Sequence, residues 1–237
     1  MTVVELLDRV REQLREAGTP EVAAAMKRFF KEPIDFYGVK APGIREISRR
    51  AWHEVKKWTP ADRNKFCTAL FQGGMSEEGA VAIYVYDRFK KQCAACEFKL
   101  FERWLDRYVD NWGHCDGLCG WLVAAAIEND TALIPQLLPW TGSPNRWKRR
   151  GAAVALVRSA RRGLHTASIL EIAGKLHRDS DEMVQKGIGW LLKETYPKKP
   201  APVVRFLKAR KKDTPRLVLR YAAEKMTPKD RDAILKG

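Results

Sequence analysis

The sequence predicts an all-α fold of stacked antiparallel helical pairs, a solenoid, and three observations carry that expectation. Apolar residues recur at i, i+3 and i+4 from one end to the other, period-two alternation never persists, and Pro and Gly punctuate the chain at short intervals. At 237 residues and 45% hydrophobic the chain can bury a substantial core. It is expected to form one repeat domain over 1–237, although no clean self-similar period is visible, which leaves an irregular helical bundle open.

The elements follow from the punctuation. Met1 to Ala17 forms a polar amphipathic helix, without the apolar centre of a signal peptide. No apolar run approaches the roughly 20 residues needed to span a bilayer, so the expected compartment is the cytosol. Breaks then fall at Gly18-Thr19-Pro20, Gly38 to Pro42, Thr59-Pro60, Gly73-Gly74, Gly113, Pro139 to Pro144, Gly163, Pro197 to Pro202, Thr214-Pro215 and Thr227-Pro228. They cut the chain into a dozen or more short helices. Ser143-Pro144 supplies an N-cap and an N1 proline for a helix Pro144 to Arg161, Asp179 with Glu182 resembles a capping box, and Thr59, Thr214 and Thr227 each precede a proline.

Charge is unevenly placed. Residues 1–140 hold 20 Lys and Arg and 20 Asp and Glu, whereas 141–237 hold 24 and 9, so the whole net charge of +15 arises in the second segment. Such asymmetry concentrates polyanions, nucleic acid first among them; a basic face kept for solubility is the bland alternative. An anionic membrane surface fits less well, because no basic helix carries a bulky exposed apolar face. The odd cysteine count (Cys67, Cys93, Cys96, Cys115, Cys119) does not make a disulfide framework. Cys93 and Cys96 with His114, Cys115 and Cys119 have metal-like spacing, but both clusters lie in or beside helical patterns. The thiols are expected to pack as small hydrophobes, with no metal bound.

Three places carry candidate chemistry. Asp116 follows Trp112 by four residues in Asn111-Trp112-Gly113-His114-Cys115-Asp116 and shares a stripe with Cys119, Gly120, Val123 and Ile127. It is an acid on an apparently buried face, with no Lys or Arg three or four positions away. Either it caps orphan backbone N–H groups in the first turn of its helix, or it is functional. His114 lies roughly 160° from it around an ideal helix, which argues against a dyad. Second, Arg146, Lys148, Arg149 and Arg150 crowd the first turns of the helix from Pro144, where cations oppose the macrodipole and an anion would be held. A solvated cationic turn is the alternative; the Arg150 stem is expected against Trp147. Third, Val184, Gly187, Ile188, Leu191 and Thr195 form an inward stripe, with Trp190 about 120° away beside Lys186. Trp190 is either a stacking platform or a boundary residue between repeats. No Gly-rich phosphate loop, HExxH, GxSxG or Asp-rich metal cluster occurs.

These residues resemble the AlkD-type DNA alkylation repair glycosylases, built from HEAT-like repeats. The resemblance spans nearly the whole chain: Phe36-Tyr37-Gly38-Val39-Lys40-Ala41-Pro42 with Arg45, the Trp112 to Asp116 motif, Asn145 to Arg150, Val184 to Trp190, and Arg216 with Arg220-Tyr221-Ala222. It implies a HEAT-like superhelix whose concave basic face grips duplex DNA. It also implies monofunctional hydrolysis of the N-glycosidic bond of cationic N3- or N7-alkylated purines, without base flipping and with no cofactor. By resemblance Trp112, Trp190 and Asp116 line the deoxyribose, and Arg150 lies on the lesion side. Lys40, Arg45, Trp147, Lys148, Arg149, Lys186, Arg216 and Arg220 are the expected DNA contacts. Gly113-His114 and Lys40-Ala41 depart from the family pattern. A non-catalytic binder of damaged or branched DNA is the alternative, and an RNA- or protein-binding scaffold a third.

Overall fold

The structure, a computed structural model, describes residues 1–236. Its helices are α1 (Val3–Ala17), α2 (Pro20–Lys27), α3 (Ala41–Val55), α4 (Pro60–Gln72), α5 (Ser76–Asp87), α6 (Ala95–Arg107), α7 (Trp112–Gly117) and α8 (Ala124–Asn129). They continue as α9 (Arg146–Val154), α10 (Val157–Arg161), α11 (Thr166–Leu176), α12 (Glu182–Thr195), α13 (Pro200–Arg210), α14 (Arg216–Ala222) and α15 (Pro228–Leu235). Among the described residues there is no strand, only an isolated bridge between Asp35 and Met75. The all-α superhelix expected from periodicity is what forms. Successive members of a row α3, α5, α7, α9, α12, α14 pack side by side, and this row builds the wall that carries the site.

One connected core runs from Leu6 to Ile234. Its largest fully buried side chains include Trp104, Trp140, Tyr86, Phe66 and Phe98. Each such burial contributes on the order of 1.5–3 kcal/mol, which is why short helices of modest intrinsic propensity persist. The amphipathic α1 buries Leu6, Val10 and Leu14.

Capping follows the sequence at some breaks and departs at others. Thr59 and Thr227 accept from the backbone N–H groups of Asp62 and Asp230, as expected for Thr-Pro starts. Thr214 instead donates to the Arg210 carbonyl, and Pro215 stands at the cap. The cap of α9 is Asn145, accepting from Trp147 N–H at 2.9 Å, rather than Ser143. The cap of α12 is Asp181, accepting from Met183 and Val184 N–H groups, rather than Asp179. The expected single helix Pro144 to Arg161 is two: a tightened turn, with Leu156 N–H on the Ala153 carbonyl, separates α9 from α10. Nothing in the residue pattern marks this break, and both pieces pack on α12.

The Phe36 to Pro42 motif is explained by its anchoring. The buried carboxylate of Glu77 accepts from the backbone N–H groups of Tyr37, Gly38 and Val39 at 2.8–3.0 Å. The Tyr37 hydroxyl donates to Glu78, which also holds Arg11. Burial and the Glu78 carboxylate push the Tyr37 phenol up to about 12. Gly38 sits at φ 88°, and a Cβ there would lie 2.0 Å from the Thr19 carbonyl oxygen, so only glycine closes this loop.

Candidate active site

The motif around Trp112 starts α7 with Asn111 as its cap, its side chain accepting from His114 N–H at 2.9 Å. Asp116 therefore does not cap the helix. It sits four residues beyond Trp112, and this i, i+4 spacing turns both side chains to the same side. Past Gly117 the helix widens into a π-helical segment, Leu118–Val123, before returning to α form in α8. The extra residue in that turn shifts the helical phase, so an even 3.6-residue count misplaces Asp116. Cys119, Val123 and Ile127 are buried as expected, yet the Asp116 side chain remains 22% exposed.

Asp116 has its partner inside the chain. Arg150 Nε and Nη2 donate to its two carboxylate oxygens, each at 2.8 Å, a bidentate pair. Arg150 Nη1 donates to the Met183 carbonyl at 2.5 Å. With the residue only 6% exposed, this arginine is first a ligand of Asp116, not a solvent-facing phosphate clamp. Burial acts to lower its pKa, but its bonds and charge interaction with Asp116 prevail and raise it above the ordinary value. The Arg150 side chain crosses α12 at Gly187, where a Cβ would meet its Cγ at 3.1 Å. That close approach accounts for the glycine on the inward stripe of α12.

Two recesses meet around these residues. The larger, about 1040 Å³, is mostly apolar and lined by Trp112, Asp116 and Trp190 with Phe29, Phe30, Tyr84, Trp121 and Arg161 among others. The smaller, about 360 Å³, shares Phe29, Trp112, Asp116 and Trp190 and adds Arg150, Lys186, Lys193 and Tyr221. Three of the four residues singled out as catalytic candidates thus lie in both, and the fourth joins them in the smaller. Trp112 is 36% exposed and stacks on Phe30, with ring centroids 5.3 Å apart and planes 18° apart. Trp190 is half-buried, with the Arg161 guanidinium 5.9 Å from its ring centroid. Phe29, 76% exposed, forms a further aromatic wall.

The other expected contacts divide. Trp147 is a correction: at 5% exposure it belongs to the core, its carbonyl accepts from the Cys115 thiol, and Arg146 rather than Arg150 lies over its ring at 4.5 Å. Lys148 is held by Asp106 and Glu102 at 2.7 and 3.0 Å. Arg149 is held by Asp179 at 2.7 Å and by the Ser143 and Pro144 carbonyls. These cations spend their charge on neighbouring helices, against the expectation of a phosphate-seeking turn. Lys186 pairs with Glu182 at 2.7 Å and lines the smaller recess. Lys40 is exposed at the start of α3, and Arg45 borders a recess of about 330 Å³ with Arg88, Lys90 and Lys91. Arg216 is exposed and donates to the Leu235 carbonyl; Arg220 is exposed.

His114 faces the Ser76 carbonyl through Nε2 at 2.8 Å, away from Asp116, and burial pushes its pKa down. Cys67, Cys93, Cys115 and Cys119 are buried, and Cys96 is exposed. The Cys93 and Cys115 thiols donate to the Phe89 and Trp147 carbonyls, the packed role expected of them. Sequence reasoning missed Phe29, Phe30, Tyr84, Trp121 and Lys193, and quoted Tyr221 only within its motif, without a role at the site. The adjacent Phe29-Phe30, outside any helical stripe, was the one available signal. The segment that carries them is tethered across the site by Lys31 to Glu182 at 2.6 Å and by Glu32 to Arg146.

An all-α superhelix presenting an aromatic groove, with the Arg150-paired carboxylate of Asp116 between Trp112 and Trp190, defines a class, and comparison places the chain within it. Residues 10–226 match the family described as DNA alkylation repair enzyme. The chain belongs to that family, and membership implies DNA as its partner. It is also similar to a solved structure, the "Predicted DNA alkylation repair enzyme from Enterococcus faecalis", at 19% identity. That alignment covers 89% of this chain and 97% of the other, with a TM-score of 0.81, and shows a shared fold. No curated protein matches the chain. Among the described residues no helix is long and apolar enough to cross a membrane.

Proposed function

We propose that this protein is a monofunctional DNA glycosylase, a single HEAT-like repeat domain that hydrolyses the N-glycosidic bond of cationic N3- or N7-alkylated purines in duplex DNA. The observation that carries the reading is the convergence of Trp112, Asp116 and Trp190, from α7 and α12, on one groove. A purine alkylated at N3 or N7 is already a good leaving group, so no general acid is needed. The sugar needs help, because it becomes oxocarbenium-like as the bond breaks. A carboxylate accepts at about four lone-pair sites, and Arg150 takes two, which leaves Asp116 acceptors for the sugar and an attacking water. The faces of Trp112 and Trp190 add attraction that grows with positive charge, which is transition-state rather than ground-state binding. An open groove suits action on a base that stays in the duplex, without the enclosed pocket that flipping enzymes use.

The bidentate pair favours one second reading: Asp116 as an internal staple in a protein that binds damaged or branched DNA without cutting it. Incubating the protein with duplex DNA containing 7-methylguanine or 3-methyladenine, and measuring free base and alkali-labile sites, separates the two. The glycosylase reading expects release by the wild type and a loss on the order of 10²–10³ in rate for Asp116→Asn, with DNA affinity kept. Binding without release by the wild type, or full activity in Asp116→Asn, overturns it.

A further inference from the structure

The second half of the chain carries the entire net charge, yet the cations nearest the groove in α9 are neutralised by acids. The excess lies elsewhere. Residues 197–237 hold 13 Lys and Arg against four Asp and Glu. Those four acids are engaged: Asp213 with Arg178, Glu224 with Lys193, Asp232 with Lys236, and Asp230 with the Tyr196 hydroxyl.

Helix α13 displays part of this unneutralised charge on one face. Val203, Phe206 and Leu207 turn inward and are buried. Ala201, Arg205 and Lys208, at spacings of four and three, form an exposed stripe on the opposite side. Among the described residues neither Arg205 nor Lys208 has an ion-pair partner; both border a recess of about 790 Å³ lined also by Pro200, Ala201, Val204, Ala209 and Asp230, whose carboxylate accepts from the Tyr196 hydroxyl. None of these residues lines the two recesses around Asp116.

We propose that this outer face of α13 is a second DNA-binding surface, which holds a duplex segment outside the groove through its phosphates. The composition selects that occupant. Solvated cations beside small side chains fit a sugar–phosphate backbone, where affinity comes from charge and close approach. A protein partner would call for aromatic or large apolar anchors, and a membrane for bulky side chains that insert; the stripe has neither. The proposal rests on the DNA-binding reading of the chain and on no chemistry at Asp116. Its consequence is non-specific retention on long DNA, and bridging of two duplexes, while the groove is occupied.

The test uses the full chain with Arg205→Ala/Lys208→Ala and long undamaged duplex, with affinity measured between about 50 and 200 mM salt. The plot of log affinity against log salt is expected to be shallower by about 2, roughly 0.9 per lost phosphate contact. Co-capture of two differently labelled duplexes is expected to fall, and base release at saturating protein to stay at the wild-type rate. The charge-conserving Arg205→Lys/Lys208→Arg should keep the wild-type slope, which shows that charge and not folding is read. An unchanged slope and co-capture in the alanine variant overturns the proposal. So does an unchanged DNA slope with lost binding of polyglutamate or phosphatidylserine vesicles. Absence of base release from every protein, with the slope change intact, would count against the glycosylase reading alone.

Discussion

Two basic helices of this protein use their charge in opposite ways. In α9, Arg146, Lys148, Arg149 and Arg150 face acids from four other segments: Glu32 and Asp181, Glu102 and Asp106, Asp179, and Asp116. In α13, Arg205 and Lys208 face solvent. Similar residue types thus build internal architecture in one place and an external field in the other. The difference teaches that a basic run beside a functional motif need not be the ligand's own counter-charge. Long cationic side chains at a crowded helix start also serve to tie inner helices together, and the acids that meet them are distant in sequence.

The comparison can be broken at three points. Arg150→Ala should have the largest effect: it strands a partly buried carboxylate and should destabilise the fold by roughly 3 kcal/mol, measured by denaturant unfolding. A loss below about 0.5 kcal/mol would show that the pair is not structural. Lys148→Ala is expected to cost about 1 kcal/mol, since its two acids remain partly exposed and water can solvate them. Arg205→Ala should leave stability within about 0.5 kcal/mol of wild type while weakening DNA binding. If Arg205→Ala destabilised as much as Arg150→Ala, the contrast between the two helices would fail.

Much of the fold was legible because helical period and Pro-Gly punctuation are local signals. The inward stripe of α12 was correct residue by residue, and Trp190 lies off it, half-buried. The shared face of Trp112 and Asp116 followed from four-residue spacing. Arg150's attachment to Asp116 was not legible, since the two are 34 positions apart and no spacing rule reaches that far. The phase of Asp116 was misjudged because the π-helical turn after Gly117 has no sequence marker. Trp147 was expected at the DNA by resemblance alone; its ring packs inward while Arg146, Lys148 and Arg149 around it reach acids on other segments.

By itself, then, the sequence determined the helical class, most of the helix breaks, the total charge and the Trp112, Asp116 and Trp190 members of the groove. Those properties depend on local periodicity and composition. Only the tertiary structure decided which charges cancel, because neutralisation depends on ångström-scale distances between helices far apart in the chain. It thereby turned Asp116 from an acid without a partner into one clamped by Arg150. It also showed that Arg205 and Lys208, on the outer face of α13, carry unpaired charge away from the groove.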